Sequence, residues 1–294
     1  MAHLAPAVPR GLSIGELRRA ARIILLLTMN MKLPLHEDFI LYPESPLRER
    51  TQLAHDWIPD RCQRLLDGGC AFGYATCHFQ DKAKEVYGVD PNEDFVVIAK
   101  KRHPGIYFFQ AGLEQVPFDS EFFDVIVLND VLEHVTDERM ALNEMCRVLR
   151  PGGSFIVTTP HSGLFTFMDP DNFVYHLRTK LPKLYRWLFR IKYGKHPEKV
   201  KPGYAELHRH YSLKDFVHLL DQSSFNGRYE IDRIFRGGLL VGVLGAAVYE
   251  VLSLTVGLRW ARRLIKPIHW LADKDYFVPY GILSYNVAIR IRKQ

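Results

Sequence analysis

The sequence predicts a doubly wound α/β fold, with a mostly parallel sheet of seven strands, helices on both faces and an apolar, helical insertion near the C-terminus. Three observations predict it. Between Arg61 and Pro160 short apolar runs alternate with amphipathic stretches, the pattern of parallel strands joined by crossover helices. Within that region the strand Leu65-Leu66-Asp67 turns through the small residues Gly68-Gly69-Cys70-Ala71-Phe72-Gly73. Two further alternating segments, Tyr229–Phe235 and Tyr285–Ile291, supply the last strands.

The first five strands are placed at Arg64–Asp67, Glu85–Asp90, Ile106–Ala111, Phe123–Asn129 and Gly153–Thr159, with helices at about 73–81, 93–102 and 137–149 between them. Pro151, Gly152 and Gly153 read as the turn before the fifth strand, where proline stops the helix and glycine permits positive φ. Ser212–Asp221 reads as a helix with a serine cap. Four units follow: 1–50, a basic amphipathic helix and cap; 51–160, the α/β core; 161–228, a lid; and 229–294, the last two strands around an insertion at 237–275. The basic helix over about 13–28 either lies on a membrane surface or packs on the core. It lacks the cleavage site of a secretory leader.

With 294 residues, 47% hydrophobic and 24% charged, the chain can bury a full core. Its four cysteines lack metal-ligand spacing, so neither zinc nor a disulfide framework is expected. Residues 161–294 carry 22 Lys+Arg against 11 Asp+Glu, whereas residues 1–160 carry 17 against 22. Such an asymmetry suggests contact with an anionic surface.

A strand that ends in Asp67 and turns through Gly68, Gly69, Cys70, Ala71 and Gly73 lets a ligand approach the backbone. The glycine pattern is G-x-A-x-G, so the dinucleotide fingerprint G-x-G-x-x-G is absent. The next strand ends in Asp90, followed by Pro91. A carboxylate there can accept both hydroxyl hydrogens of a ribose, or it can serve as a helix cap.

Five blocks in order, Leu-Leu-Asp-Gly-Gly-Cys-Ala-Phe-Gly, Gly-Val-Asp, Gly-Leu-Glu-Gln-Val-Pro-Phe, Phe-Asp-Val-Ile-Val-Leu-Asn-Asp-Val-Leu-Glu-His-Val and Arg-Val-Leu-Arg-Pro-Gly-Gly, resemble the class I S-adenosylmethionine-dependent methyltransferases of the UbiE-like, type 11 kind. The resemblance implies a Rossmann-like methyltransferase fold with S-adenosyl-L-methionine as cofactor. It places Gly69 and Gly73 under the methionine part, Asp67 near its amino group and Asp90 on the ribose. Leu113 and Glu114 flank adenine, and Asn129 and Asp130 end the fourth strand beside the cofactor. Ala71 replaces the usual middle glycine, and Gly112 stands where an acid is usual. Glu133 and His134 read as structural.

An acceptor hydroxyl needs a base, and His161, His208 and His210 are the candidates. The apolar run Gly237–Leu258 is long enough to cross a bilayer, yet the last two strands must pair on one side of it. The run therefore returns within a membrane, lies in the interface or packs over the site. Trp187, Trp260, Arg259, Arg262, Arg263, Lys266 and Trp270 suit a headgroup layer. The expected activity is O-methylation of a lipid-linked, isoprenoid or saccharide acceptor by a cytoplasmic protein peripheral on an anionic membrane. Methylation of a soluble metabolite, or a catalytically silent cofactor-binding scaffold, is the alternative. No nucleic-acid partner is expected, since Asn129-Asp-Val-Leu replaces an Asn/Asp-Pro-Pro-Tyr/Phe block.

Overall fold

A computed structural model describes residues 46–164, 181–193, 209–239 and 263–294, with isolated positions 241, 245, 248, 252 and 260. The basic helix over 13–28, His208, Arg259, Arg262 and most of the run 237–258 lie outside the described residues.

In chain order the elements are α1 (Glu49–Trp57), β1 (Cys62–Gly68), α2 (Tyr74–His78), β2 (Ala83–Asp90), α3 (Glu93–Arg102), β3 (Tyr107–Gln110), β4 (Phe123–Asn129), α4 (Glu138–Val148), β5 (Leu149–Pro160), α5 (Pro182–Tyr193), α6 (Leu213–Asp221), β6 (Tyr229–Gly237), α7 (Lys266–Tyr276) and β7 (Asn286–Lys293). One sheet of seven strands carries them in the order β3-β2-β1-β4-β5-β7-β6. β1 to β5 run parallel, and β7 lies antiparallel between β5 and β6. The sequence placed all seven strands to within a few residues.

Central strands explain the continuous apolar runs. In β4 every residue from Phe123 to Leu128 is buried, because both faces of the sheet are covered. On one face Ile126, Leu128, Phe155 and Ile289 pack with Leu142 and Met145 of α4 and Phe216 and Leu220 of α6. On the other, Leu65, Val125, Val127 and Ile156 pack with Leu53 and Trp57 of α1 and Val96 and Ala99 of α3.

Local signals set the helix ends. Asn92 accepts from the backbone N–H groups of Asp94 and Phe95 to start α3, which closes on Lys100, Lys101 and Arg102 against the negative end of its dipole. Asp137 caps α4, and Ser212 forms a capping box with Asp215 at α6.

Three details differ from the sequence reading. The helix expected over 73–81 is only five residues, followed by a 3-10 turn at Phe79–Asp81. Pro151-Gly152-Gly153 lies inside β5 as a bulge rather than before it, with Gly152 at φ 74°. A Cβ on Gly153 would sit 2.8 Å from the Arg150 carbonyl and 3.0 Å from that of Asp124, so the strand closes there only on glycine. Finally, α1 runs across the boundary drawn at residue 50, and it packs on β4, β5 and β7 as part of the core.

The tie between α1 and the sheet is Arg290. Its Nη1 donates to the Trp57 carbonyl at 2.7 Å while Nε and Nη2 grip Asp232 of β6 at 2.9 and 2.6 Å. Arg290→Ala strips the solvent-touched Asp232 carboxylate and the Trp57 carbonyl of their shared donor, and should lower stability by about 1–2 kcal/mol in urea unfolding. A loss below about 1 kcal/mol would show that the grip is replaceable.

Candidate functional site

The order of strands reverses beside β1: β2 and β3 lie on one side, β4 and β5 on the other. Open α/β sheets bind ligands in the crevice this reversal leaves at the carboxyl ends of the strands. Here that crevice is framed by the ends of β1, β2 and β4, which carry Asp67 to Ala71, Asp90 and Asn129.

The β1 turn needs left-handed backbone at three positions, Gly69 at φ 73°, Ala71 at φ 44° and Gly73 at φ 78°. Ala71 is thus a non-glycine residue in a conformation that costs about 1 kcal/mol or more. Two interactions hold it there. The N–H groups of Gly69 and Cys70 donate to the Val89 carbonyl at 2.8 and 3.0 Å, and the Ala71 N–H donates to Asp90 Oδ2 at 3.0 Å. The other oxygen of Asp90 accepts from the Asn92 N–H at 2.9 Å. Asp90 therefore joins the β1 turn to the start of α3.

Asp67 is buried at the end of β1, and its carboxylate accepts from the Thr76 hydroxyl at 2.6 Å. Burial pushes its carboxyl up to about 7 despite that hydrogen bond, and the Asp90 charge adds to the rise. Cys70 turns its thiol into the core, where a Cβ on Gly88 would lie 2.9 Å from Sγ, so only its backbone belongs to the turn. Gly73 is required by packing, since a Cβ there would meet Phe108 at 2.8 Å. Gly68 and Gly69 are the close-approach positions: added Cβ atoms would strike Leu128 and Val131, each at 2.4 Å. Pro91 is exposed, its carbonyl accepting from Gln110.

Leu113 is buried against Gly68, and Glu114 is half-buried. A Cβ on Gly112 would lie 2.9 Å from Glu114 Oε2, so the Glu114 carboxylate fills the volume that a side chain at 112 would take.

On the other side of β4, Asp130 stands at φ 50° and forms an ion pair with Arg50 of α1. Thr158 and Asn286 approach its Oδ1 at 3.5 Å, and Tyr276 donates to Asn286 at 2.8 Å. Glu133 is fully buried, accepts from the Thr159 hydroxyl at 3.1 Å, and has no partner on Oε1 among the described residues. Burial first, and then the Asp130 charge, push its carboxyl well above the usual range. His161 is buried at the end of β5, with Nδ1 3.2 Å from the Ser284 carbonyl, and burial lowers its basicity. His210 is half-buried beside the bridge that pairs His161 with Tyr211. Arg50, Thr158, Tyr276, Ser284 and Asn286 carried no sequence signal, because only topology brings 50, 158 and 286 to one place. Among the described residues no group of His, Cys, Asp and Glu could hold a metal ion.

A family described as a methyltransferase domain matches residues 66–157. Among curated proteins, a probable S-adenosylmethionine-dependent methyltransferase of Mycolicibacterium smegmatis is 33% identical over 119 residues, 40% of this chain and 46% of that protein. A ubiquinone/menaquinone biosynthesis C-methyltransferase of Vibrio vulnificus is 33% identical over 133 residues, 42% of this chain and 51% of that protein. Residues 66–157 thus carry a methyltransferase domain, in the region where the five sequence blocks lie. The chain spans about half the length of these relatives. The fold agrees with solved methyltransferases, such as geranyl diphosphate C-methyltransferase of Streptomyces coelicolor, at a TM-score of 0.50 and 14% identity over 83% of this chain and 79% of that one.

S-adenosyl-L-methionine is the cofactor that the sequence resemblance implies, and the residues present fit it. The β1 turn leaves an approach that a Cβ on Gly69 would alter, the Asp90 oxygens each keep a second lone pair beyond the backbone bonds, and the Asn129 amide Nδ2 is a shielded donor without a partner among the described residues. Gly69→Ala should weaken S-adenosylhomocysteine binding by at least about tenfold in calorimetric titration, since the new methyl group needs both positive φ and the space of Val131. Unchanged affinity would move the ligand away from this turn.

Proposed function

We propose that the chain methylates an oxygen of a lipid-linked, isoprenoid or saccharide acceptor at the cytoplasmic face of a membrane. The observation that carries the reading is a pair of buried side chains beyond β4, His161 at the end of β5 and Glu133 on the Thr159 hydroxyl, on the side of β4 away from β1. The names of relatives support the acceptor class: one acts in ubiquinone and menaquinone biosynthesis, and a structure of like fold takes geranyl diphosphate.

S-adenosyl-L-methionine supplies an electrophilic sulfonium methyl group when bound. In this reading Asp67 faces its ammonium, Asp90 its ribose hydroxyls, and Glu114, folded back at Gly112, its adenine edge. Leu113 lies against adenine, while Asn129 and Asp130 close the methionine end. The acceptor side handles a proton. The Ser284 carbonyl and hydroxyl both lie 3.2 Å from Nδ1 of His161, and the hydroxyl donates to the Gly281 carbonyl at 2.8 Å, so hydrogen sits on Nδ1 and in this reading Nε2 takes the acceptor's proton. Its lowered basicity keeps that nitrogen unprotonated near neutral pH. Arg50 and Asn286 hold Asp130 in its strained conformation after β4.

Incubated with methyl-labelled cofactor and a cell lysate, the chain should transfer label to the lipid extract. Label confined to the aqueous fraction would favour a soluble metabolite, and no transfer at all would favour a silent scaffold.

The raised Asp67 carboxyl gives a pH test. Below about 7 the group is neutral in the free protein, and above it is a carboxylate. Pairing with an ammonium requires the carboxylate, so affinity for S-adenosylhomocysteine should rise from about pH 6 to about pH 8, with proton release on binding at the lower end. Asp67→Asn should remove both effects. The same raised value means that the folded chain holds this proton more tightly than the unfolded one, so the group's own contribution to stability falls as pH climbs toward 7. An affinity independent of pH would take Asp67 away from the ammonium.

A further inference from the structure

The C-terminal helix α7 turns the wrong face outward for a helix in water. Its inner face carries Ala272, Asp275 and Tyr276, all buried, and Asp275 accepts from the N–H groups of Leu239 and Val241 at 3.0 and 3.2 Å and from the Tyr280 hydroxyl at 2.7 Å. Its outer face carries Trp270 at 60% and Leu271 at 49% exposed, continued before the helix by Trp260 at 57% and Leu264 at 51%. Within the helix the exposed positions 266, 267, 270, 271 and 274 recur by threes and fours, so they form one stripe along it. A helix on a water-facing surface shows the reverse, apolar inward and polar outward.

The charge on the stripe has one sign. The Arg263 guanidinium lies over the Trp260 ring at 5.4 Å and the Lys274 ammonium over the Trp270 ring at 5.8 Å. Both acids of the helix are used inside: Asp273 pairs with Arg48 of α1's N-terminal flank at 2.9 Å, and Asp275 is buried. What remains outward is tryptophan and leucine flanked by cations, the composition of a helix that beds into a headgroup layer. We propose that this stripe docks the chain on an anionic phospholipid surface. The inference deepens the reading above, for it names the surface on which a lipid-linked acceptor would be met.

The inner face of the same helix reaches the site region: Tyr276 donates to Asn286, which approaches Asp130. Past the helix, Ile282 is exposed and its carbonyl accepts from the Leu164 N–H, three residues beyond His161.

The test is flotation of the full chain with vesicles of phosphatidylcholine containing about one quarter phosphatidylglycerol, beside phosphatidylcholine alone. The chain should float with the anionic vesicles and not with the neutral ones, and added salt should release it. The double variant W270E/L271E should lose at least about tenfold in vesicle affinity while binding S-adenosylhomocysteine like the wild type, which certifies its fold. R263E/K274E, which leaves the apolar residues in place, should lose the preference for anionic vesicles. Equal flotation of W270E/L271E and wild type, or no flotation of the wild type, overturns the proposal. So does a change from dimer to monomer in W270E/L271E without a change in flotation, since a second copy would then cover the stripe. Vesicle binding by a wild type that fails to bind S-adenosylhomocysteine supports the docking and rejects the methyltransferase reading.

Discussion

The carboxylate of Asp90 is the point on which the candidate site depends. One oxygen holds the Ala71 N–H and the other the Asn92 N–H, so a single side chain joins the turn after β1 to the cap of α3. Without it, Ala71 has no partner to hold its left-handed backbone, and the turn would relax toward the ordinary region. The carboxylate is charged, buried and already satisfied by two backbone donors, yet each oxygen keeps a lone pair directed elsewhere. Asp90 therefore organises the turn and the helix start while leaving lone pairs that a ribose could use, so the two readings that the sequence left open are compatible.

Most of the fold was legible because burial on both faces of a parallel sheet leaves uninterrupted apolar runs, and β4 is the plainest case. The cap residues Asn92, Asp137 and Ser212 announced their helices by local chemistry, which needs no tertiary context. What stayed hidden was non-local. Nothing at Arg50 announces that α1 crosses to the end of β4, and nothing at Asn286 announces that the last strand begins beside Asp130. Gly112 illustrates a subtler case: position by position it lacks an acid, but the turn folds Glu114 into the missing volume. A motif compares residues, whereas the site depends on where their atoms end up.

The two sides of β4 divide the chemistry. Toward β1 and β2, small residues and Asp90 give a close, backbone-lined crevice. Toward β5 and β7 lie buried groups whose charged forms are disfavoured, Glu133 and His161. Helix α7 reaches this side through Tyr276 and Asn286 and shows tryptophan and lysine outward. Among the described residues no helix is long and apolar enough to cross a membrane. An interfacial helix needs no such length.

The most direct test of this account is calorimetric titration of the wild type and Asp90→Ala with S-adenosylhomocysteine, with NAD as the control ligand. The account predicts saturable binding of S-adenosylhomocysteine and none of NAD by the wild type, and a loss of about 1–3 kcal/mol in the variant as the turn and the ribose hydroxyls lose a common acceptor. Equal affinity in the two proteins would contradict it, since the turn would then neither depend on Asp90 nor present it to the ligand.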